Sequence, residues 1–508
     1  MAIINRTKNA SRNIIYGVFF RVFTLCVPFV MRTAMIYLMG VEYLGLSSLF
    51  LSVLQVLNMA ELGVSSAMVY SMYRPIAEDD TETICALMKL YRRYYRLIGL
   101  LIAVAGTLLT PFIPKLISGE VPDGINIYIL YYLYLTSTVL SYWLFAYKNS
   151  LLLAYQRTDI SSKIALLTGT VQYVIQFLVL LVFRNYYYYV AVLVVTQAIT
   201  NVATALSVDK MFPMYKPRGS LEKEYVKDLN QRIKDLFATK IGTVLGNSVN
   251  AIVISANLGL TILAIYQNYY QIMIAVTSFV EIILASVRAG IGNSLIVEDS
   301  EKNYNDFKKL QFIIMWVITI CVSCFVALYQ PFMKLWVGEN LLLPFPTVIL
   351  FCLYFFMLAI QHLAWAYKDA SGIWHEDRFR PIIVGAVNFV LNILLVRKYG
   401  LLGILLATVF SYGFISIPWV FLNVFKYVLK RSAKTYFLQT ARDFLIIVGI
   451  GAICYIVCER VTTTGIWELA IRLVIAVVIS NGVLMLVHRK NVLFSQMVNL
   501  IKRIVFRK

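Results

Sequence analysis

Two arginines stand where a charged side chain is costly. Arg21 and Arg32 fall inside the first long apolar run, Ile14 to Met39. The offset of Arg32 from Arg21 is about 20° from full helical register, and the axial rise between them is roughly 16 Å. Both guanidiniums would therefore share one face of a helix. A guanidinium is a planar fork of donors that matches phosphate. Charges at membrane depth usually face a bundle interior or an aqueous cavity. The pair is thus a candidate site for a phosphate-bearing anion in a lumen. In the competing reading Arg21 snorkels to one interface and Arg32 to the other.

Uncharged polar residues form two further stripes. Gln267, Gln271, Ser278 and Glu281 fall within about 80° on one apolar run. Asn247, Asn250 and Asn257 do the same on the run before it. Adjacent stripes of this kind could wall one cavity, or they could hydrogen-bond helix to helix inside a bundle. Glu61 and Glu281 are the two acids that could bind a coupling ion. The bland alternative, pairing with basic neighbours such as Arg288, is the favoured one. Cys321 and Cys324 have redox or metal spacing but no second pair to complete a site, so they read as small apolar residues one turn apart. The three histidines, His362, His375 and His488, are scattered, and no metal is implied. Tyr186 to Tyr189 read as part of an interfacial aromatic belt.

The elements that must carry these residues are membrane helices. Hydrophobic residues make up 60% of the 508 and charged residues only 14%, with mean hydropathy +0.75; a soluble domain carries about 25% charged residues. Apolar runs of about 20 residues recur, long enough for a hydrocarbon core of roughly 30 Å. They do not alternate as barrel strands would, so the chain reads as an all-α polytopic protein. Expected spans are 14–39, 44–70, 97–117, 125–147, 161–183, 187–208, 241–257, 263–287, 309–333, 343–367, 381–396, 401–425, 441–458 and 467–487, about fourteen in all.

The net charge of +20 does not indicate nucleic acid. Of the 46 Lys and Arg, 37 lie on the termini and the even-numbered connections, 6 on the odd-numbered ones and 3 inside spans. That asymmetry is the positive-inside signal, placing both termini in the cytoplasm. The first run is too long for a secretory h-region and reads as a retained span.

The chain repeats itself at an offset of 220 residues. AYKNS at 146–150 matches AYKDA at 366–370, Glu61 matches Glu281, Glu78-Asp79 matches Glu298-Asp299, and Pro111-Phe112 matches Pro331-Phe332. Each copy holds six spans, and six is even. The two lobes, 1–210 and 241–428, should therefore be related by a pseudo-two-fold axis along the membrane normal. The stretch 211–240, within a connection (209–240) that carries eight basic residues, reads as the cytoplasmic linker. Two extra spans fill 429–487. The segment 488–508 is basic and amphipathic, with Leu493, Met497, Leu500, Ile501, Ile504 and Val505 on one face, and reads as an interfacial helix.

Several stretches carry a family resemblance. The loop Trp374-His375-Glu376-Asp377-Arg378-Phe379-Arg380-Pro381, the following span with Asn388 and Asn392, the turn at Tyr399-Gly400 and the stretch PFMKLWVGEN at 331–340 resemble Wzx-type polysaccharide flippases of the MOP superfamily. The resemblance extends over essentially the whole chain. It implies a transporter in a bacterial cytoplasmic membrane that moves undecaprenyl-diphosphate-linked oligosaccharide to the outer leaflet for surface polysaccharide synthesis. It implies as partners that lipid-linked oligosaccharide, membrane lipids and other polysaccharide-assembly proteins, with no nucleic acid. No cofactor is expected, and coupling to a proton or sodium gradient stays open. Alternatives are a lipid II flippase and a MATE-like ion-coupled antiporter. The antiporter reading wants acids in the first span, which holds arginines instead. A membrane polymerase is disfavoured because the external connections are short and carry no paired carboxylates, so the chain reads as a transporter and not an enzyme.

Overall fold

The computed structural model describes the backbone of residues 6–119 and 121–505, and the side chains of these except 6–15, 18, 25, 235, 238–247 and 500–505. Among the described residues there is no β-strand. The chain divides into two compact units, Met1–Ala264 and Ile265–Lys508.

The first unit holds α1 (Arg6–Leu38), α2 (Val41–Leu57), α3 (Val64–Ala77), α4 (Thr81–Leu109), α5 (Ile127–Trp143), α6 (Asn149–Ala154), α7 (Thr158–Val182), α8 (Tyr186–Met211) and the first part of α9 (Lys223–Val297). Helix starts follow their capping residues. Asp80 accepts from the Thr83 amide, Asn126 from Tyr128 and Ile129, and Asn185 from Tyr187 and Tyr188. Each side chain satisfies amides that the helix itself leaves unpaired. The Thr83 contact also holds the Asp80 carboxyl below its ordinary range.

In this unit α1 lies on α7, α7 on α8, α8 on α5, and α5 on α4. The start of α9 joins the same unit. A methyl at Gly45 of α2 would sit 2.1 Å from the Leu260 carbonyl oxygen, so only glycine lets these two backbones approach so closely. The basic stretch 211–240 is docked onto α4: Lys89 Nζ donates to Gly219 O at 2.9 Å, and Tyr94 Oη donates to Asn230 Oδ1 at 2.7 Å.

The second unit holds the rest of α9, then α10 (Ser300–Val337), α11 (Phe345–Ser371), α12 (Trp374–Asp377), α13 (Arg380–Phe410), α14 (Ile417–Asn423), α15 (Lys434–Cys458), α16 (Ile466–His488) and α17 (Val492–Val505). π-helical turns, Ser411–Ser416 and Val424–Leu429, flank α14. Asp299 caps α10 through the Lys302 amide. The hydropathic windows of α10 and α11 are 61% and 72% buried and that of α16 only 17%, so α10 and α11 form the centre of this unit. α15 and α16 pack on α10 through Phe312, Trp316, Ala327, Ile450, Cys454 and Ala476. Their outer surfaces expose Leu445, Val448, Val474 and Leu486. The segment expected to be an interfacial helix is helical, as α17, and its Phe494 stacks on Trp316. Leu500, Ile501, Ile504 and Val505 lie outside the described side chains.

Eleven helical runs among the described residues are long and apolar enough to cross a membrane, twelve with the pair Ile127–Trp143 and Ala146–Ala154, bent by 47°. Two of the runs, Ser248–Val297 and Trp374–Leu429, have 50 and 56 residues. At 1.5 Å per residue each is more than twice the roughly 30 Å of a hydrocarbon core. Glycines divide them. Gly259 (φ 87°, ψ 175°) breaks α9, and Gly400 (φ 56°, ψ −135°) breaks α13, both in conformations that side chains disfavour. With these two breaks the runs resolve into the fourteen spans that the hydropathy pattern predicts.

Candidate functional site

The 220-residue repeat converges on one device, used once in each unit. In the second unit the AYKDA stretch ends α11, and α12 and α13 follow. Arg380 Nε donates to Asp377 Oδ1 at 2.6 Å and Nη2 to Oδ2 at 2.8 Å. Both residues are buried, at 4% and 3% exposure. Lys368 Nζ lies 3.3 Å from Asp377 and 3.9 Å from Asp369, which in turn lies 3.8 Å from Arg288. Arg380 Nη1 donates to Ser416 Oγ, which also accepts from Gln361 Nε2, each at 2.8 Å. The guanidinium lies 6.0 Å from the Trp365 ring centroid.

In the first unit Arg157 grips Asp159 in the same two-toothed way, at 2.9 and 3.1 Å, with Asp159 buried. The AYK lysine of that copy, Lys148, pairs with Asp209 at 2.6 Å. The order of acid and base is reversed between copies, which hides the match from sequence comparison. Burying such a pair is tolerable because the fork satisfies both carboxylate oxygens at once. The device joins the polar ends of several helices and reads as a brace, not a substrate contact.

The sequence-predicted lumen residues behave differently from one another. Arg21 is exposed, and Arg32 is half-buried against α7 and α8, near Tyr189. Pro28 lies between them and removes one backbone hydrogen bond, so a straight-helix register is only approximate there. Asn247 lies outside the described side chains. Asn250 is buried, whereas Asn257 is exposed and donates to its own helix at Val253 O, 2.9 Å away. On the same helix Ser248, which sequence reasoning passed over, donates to Gln55 of α2 at 3.2 Å. In the second unit Gln267 and Gln271 are half-buried, Glu281 is exposed, and Ser278 returns its hydroxyl to Ile274 O at 2.9 Å. Asn268, also overlooked, is fully buried.

Glu61 sits in a tyrosine cluster. Tyr91 Oη donates to Tyr95 Oη at 2.6 Å, Tyr95 Oη donates to Glu61 Oε1 at 3.2 Å, and Tyr142 Oη donates to nearby Asn58 at 3.3 Å. A charge-assisted bond from a buried phenol helps to anchor the carboxylate. Glu281, its repeat counterpart, instead lies in electrostatic reach of His362, as does Arg288. The signal for the Glu61 cluster was present in sequence as Tyr91 and Tyr95, four residues apart on one helix face, but it points outside its own helix only after folding.

Asn388 and Asn392, quoted above only as part of a motif, form a buried ladder. Asn392 Nδ2 donates to Asn388 Oδ1 at 3.1 Å and Asn388 Nδ2 to Thr408 Oγ1 at 3.2 Å. The ladder ties the two arms of α13 across the Gly400 break. Gly403 makes that approach possible, because a methyl there would sit 2.4 Å from Leu395 O. The fold also brings a second cysteine pair close: Cys454 and Cys458 lie in the buried cluster against which Cys324 packs. Their thiols donate to Ala476 O and Arg472 O. Among the described residues no group of three His, Cys, Asp or Glu could hold a metal ion.

No sequence-family profile matches the chain, and no curated protein matches it by sequence. Solved structures do. The structure of lipid II flippase MurJ in an inward closed conformation superposes with a TM-score of 0.69 at 17% identity, covering 94% of this chain and 98% of that one. The chain shares the fold found in structures of MOP-superfamily transporters. An inward-facing MATE-family multidrug resistance transporter of that superfamily superposes with a TM-score of 0.60 at 14% identity, over 82% of this chain and 98% of the other. The Vibrio cholerae MATE transporter VcmN in its bent form gives 0.53 at 13% identity, over 84% and 98%.

Proposed function

We propose that this chain is a flippase for a polyprenyl-diphosphate-linked saccharide, working by alternating access. The observation that carries this reading is the extent of the likeness. The flippase structure covers 94% of the chain, whereas the two MATE structures cover 82% and 84%. The difference is about the length of two spans, and the chain carries α15 and α16 beyond its repeated part. The first span here also carries arginines where a cation site would want acids. In this proposal Arg21 and Arg32 hold the diphosphate, because guanidinium forks match phosphate oxygens and a low-dielectric surround strengthens the attraction. Gln267, Gln271, Asn250 and Asn257 are candidates for saccharide hydroxyls; Glu61 and Glu281 are the two acids open to ion coupling, with a structural role the favoured one for each.

The preferred saccharide is a surface-polysaccharide repeat unit, on the motifs at 331–340 and 374–403. Lipid II is the second reading, favoured by the flippase structure itself. The test is uptake of defined lipid-linked substrates in proteoliposomes, with polyprenyl-diphosphate oligosaccharide and lipid II run side by side. Arg21→Ala and Arg32→Ala should each slow flipping at unchanged protein abundance, and Arg32→Lys should slow it less. Wild-type rates in both alanine variants would refute the phosphate role, and failure to flip either lipid would refute the flippase reading.

A further inference from the structure

The polar end of α4 forms a pocket that the transport reading leaves unused. Its volume is about 580 Å³, and its walls include Lys89, Arg92, Arg93 and Arg96 of α4 and the segment 217–221 that follows α8. The four cations fall within about a 100° arc, and their helix positions span roughly 10 Å of axis. The opposing wall is fixed in place. Lys89 Nζ donates to Gly219 O at 2.9 Å, and Cys85 Sγ donates to Met214 O at 3.7 Å. Gly219 adopts φ +82°, a turn that presses the segment toward Ala86. The arginines form no salt bridge among the described residues. Glu82 and Glu222 line an adjoining pocket that shares Ala86 and Gly219 with it.

Position decides what such a pocket would hold. Immediately beyond Arg96, α4 exposes Leu97, Leu100, Leu101, Val104 and Leu108, all at least half exposed. In helical projection this apolar stripe is centred about 85° round the helix from the basic ladder, meets it at Leu100, and continues beside it toward the hydrocarbon. The boundary between the two marks the level of lipid phosphates, with acyl chains on one side and cations on the other. A soluble anion would gain nothing from the stripe, and a nucleic acid could not reach it.

We propose that this pocket binds the phosphate headgroup of a resident anionic phospholipid, in the leaflet that the charge asymmetry assigns to the cytoplasm, with the acyl chains lying along Leu97, Leu100 and Leu101. Lipid held there clamps the 217–221 segment to α4.

The full chain in phosphatidylcholine nanodiscs, probed with spin-labelled phosphatidylglycerol, tests this. The wild type should immobilise phosphatidylglycerol in preference to spin-labelled phosphatidylcholine. R92Q/R93Q/R96Q should weaken that preference by about a hundredfold. R92K/R93K/R96K should keep most of it, since charge suffices for a headgroup. The charge-matched control K223Q/K227Q/K234Q, at exposed positions on α9, should behave as wild type. If the triple glutamine variant is misfolded by size exclusion, R93Q alone serves and should weaken retention several-fold. Unchanged retention in the folded glutamine variants overturns the proposal. Inorganic phosphate binding as tightly as phosphatidylglycerol overturns the lipid assignment. Displacement of phosphatidylglycerol by equimolar polyprenyl diphosphate identifies the transported lipid as the occupant and overturns the resident-phospholipid reading.

Discussion

Breaking the Asp377–Arg380 pair should destabilise the second unit far more than removing the pair altogether. Arg380→Ala deletes two charge-assisted bonds of 2.6 and 2.8 Å, the bond to Ser416 and the contact over Trp365. It leaves Asp377 buried, but Lys368 remains 3.3 Å away and partly compensates. Breaking a buried pair costs about 3–5 kcal/mol, and the remaining lysine puts this variant near the lower figure. Asp377→Asn is the worse change. It leaves Arg380, buried at 4% exposure, and Lys368 facing a neutral amide, which puts it near the upper figure. Replacing both, as D377N/R380M, removes the buried guanidinium and leaves Lys368 to Asp369 at 3.9 Å, so it should recover much of the loss, because buried ion pairs contribute little over apolar replacements of similar volume. For a unit the size of Ile265–Lys508, a loss of about 3 kcal/mol corresponds to roughly 6–12 °C in melting temperature. Thermal unfolding of purified protein in one detergent, followed by intrinsic fluorescence, measures all three variants. Single variants melting within about 2 °C of wild type, or a double variant melting as low as the worse single, would refute the brace.

Three further outcomes follow from the same structure. Gly45→Ala places a methyl 2.1 Å from Leu260 O, and it should sharply reduce the yield of folded protein; normal yield and melting would show that the α2–α9 contact can open. Glu61→Gln keeps an acceptor for Tyr95 and should retain abundance and transport, whereas loss of transport at normal abundance would assign Glu61 to ion coupling instead. Cysteines introduced at 42, 338 and 462 in an otherwise cysteine-free chain should react with an impermeant thiol reagent from outside and one at 220 should not; external labelling at 220 would overturn the orientation.

Class was legible in the sequence because it depends on composition alone, and the expected orientation rests on composition too. A 20-residue apolar run must be helical in lipid whatever surrounds it, and basic residues sort to one side through their cost of crossing. The breaks were legible in part: hydropathy showed separate spans around 258–262 and 397–400, and the structure adds that Gly259 and Gly400 make each break within an otherwise continuous helix. The helix caps at Asp80, Asn126, Asn185 and Asp299 are also local, since they act over three residues.

The site residues were not legible to the same degree, because a polar side chain's role is set by what lies across from it. Ser278 and Asn257 stood on plausible stripes, yet each bonds to its own helix. Arg21 and Arg32 shared a face in projection, yet one is exposed and the other half-covered by α7 and α8. Asp377 and Arg380 read as a charged loop, and only the folded unit closes them into a buried pair with Lys368 and Ser416. Periodicity reports which side of a helix a residue occupies. Desolvation and partner distance decide what it does there, and both are properties of neighbouring helices far away in sequence.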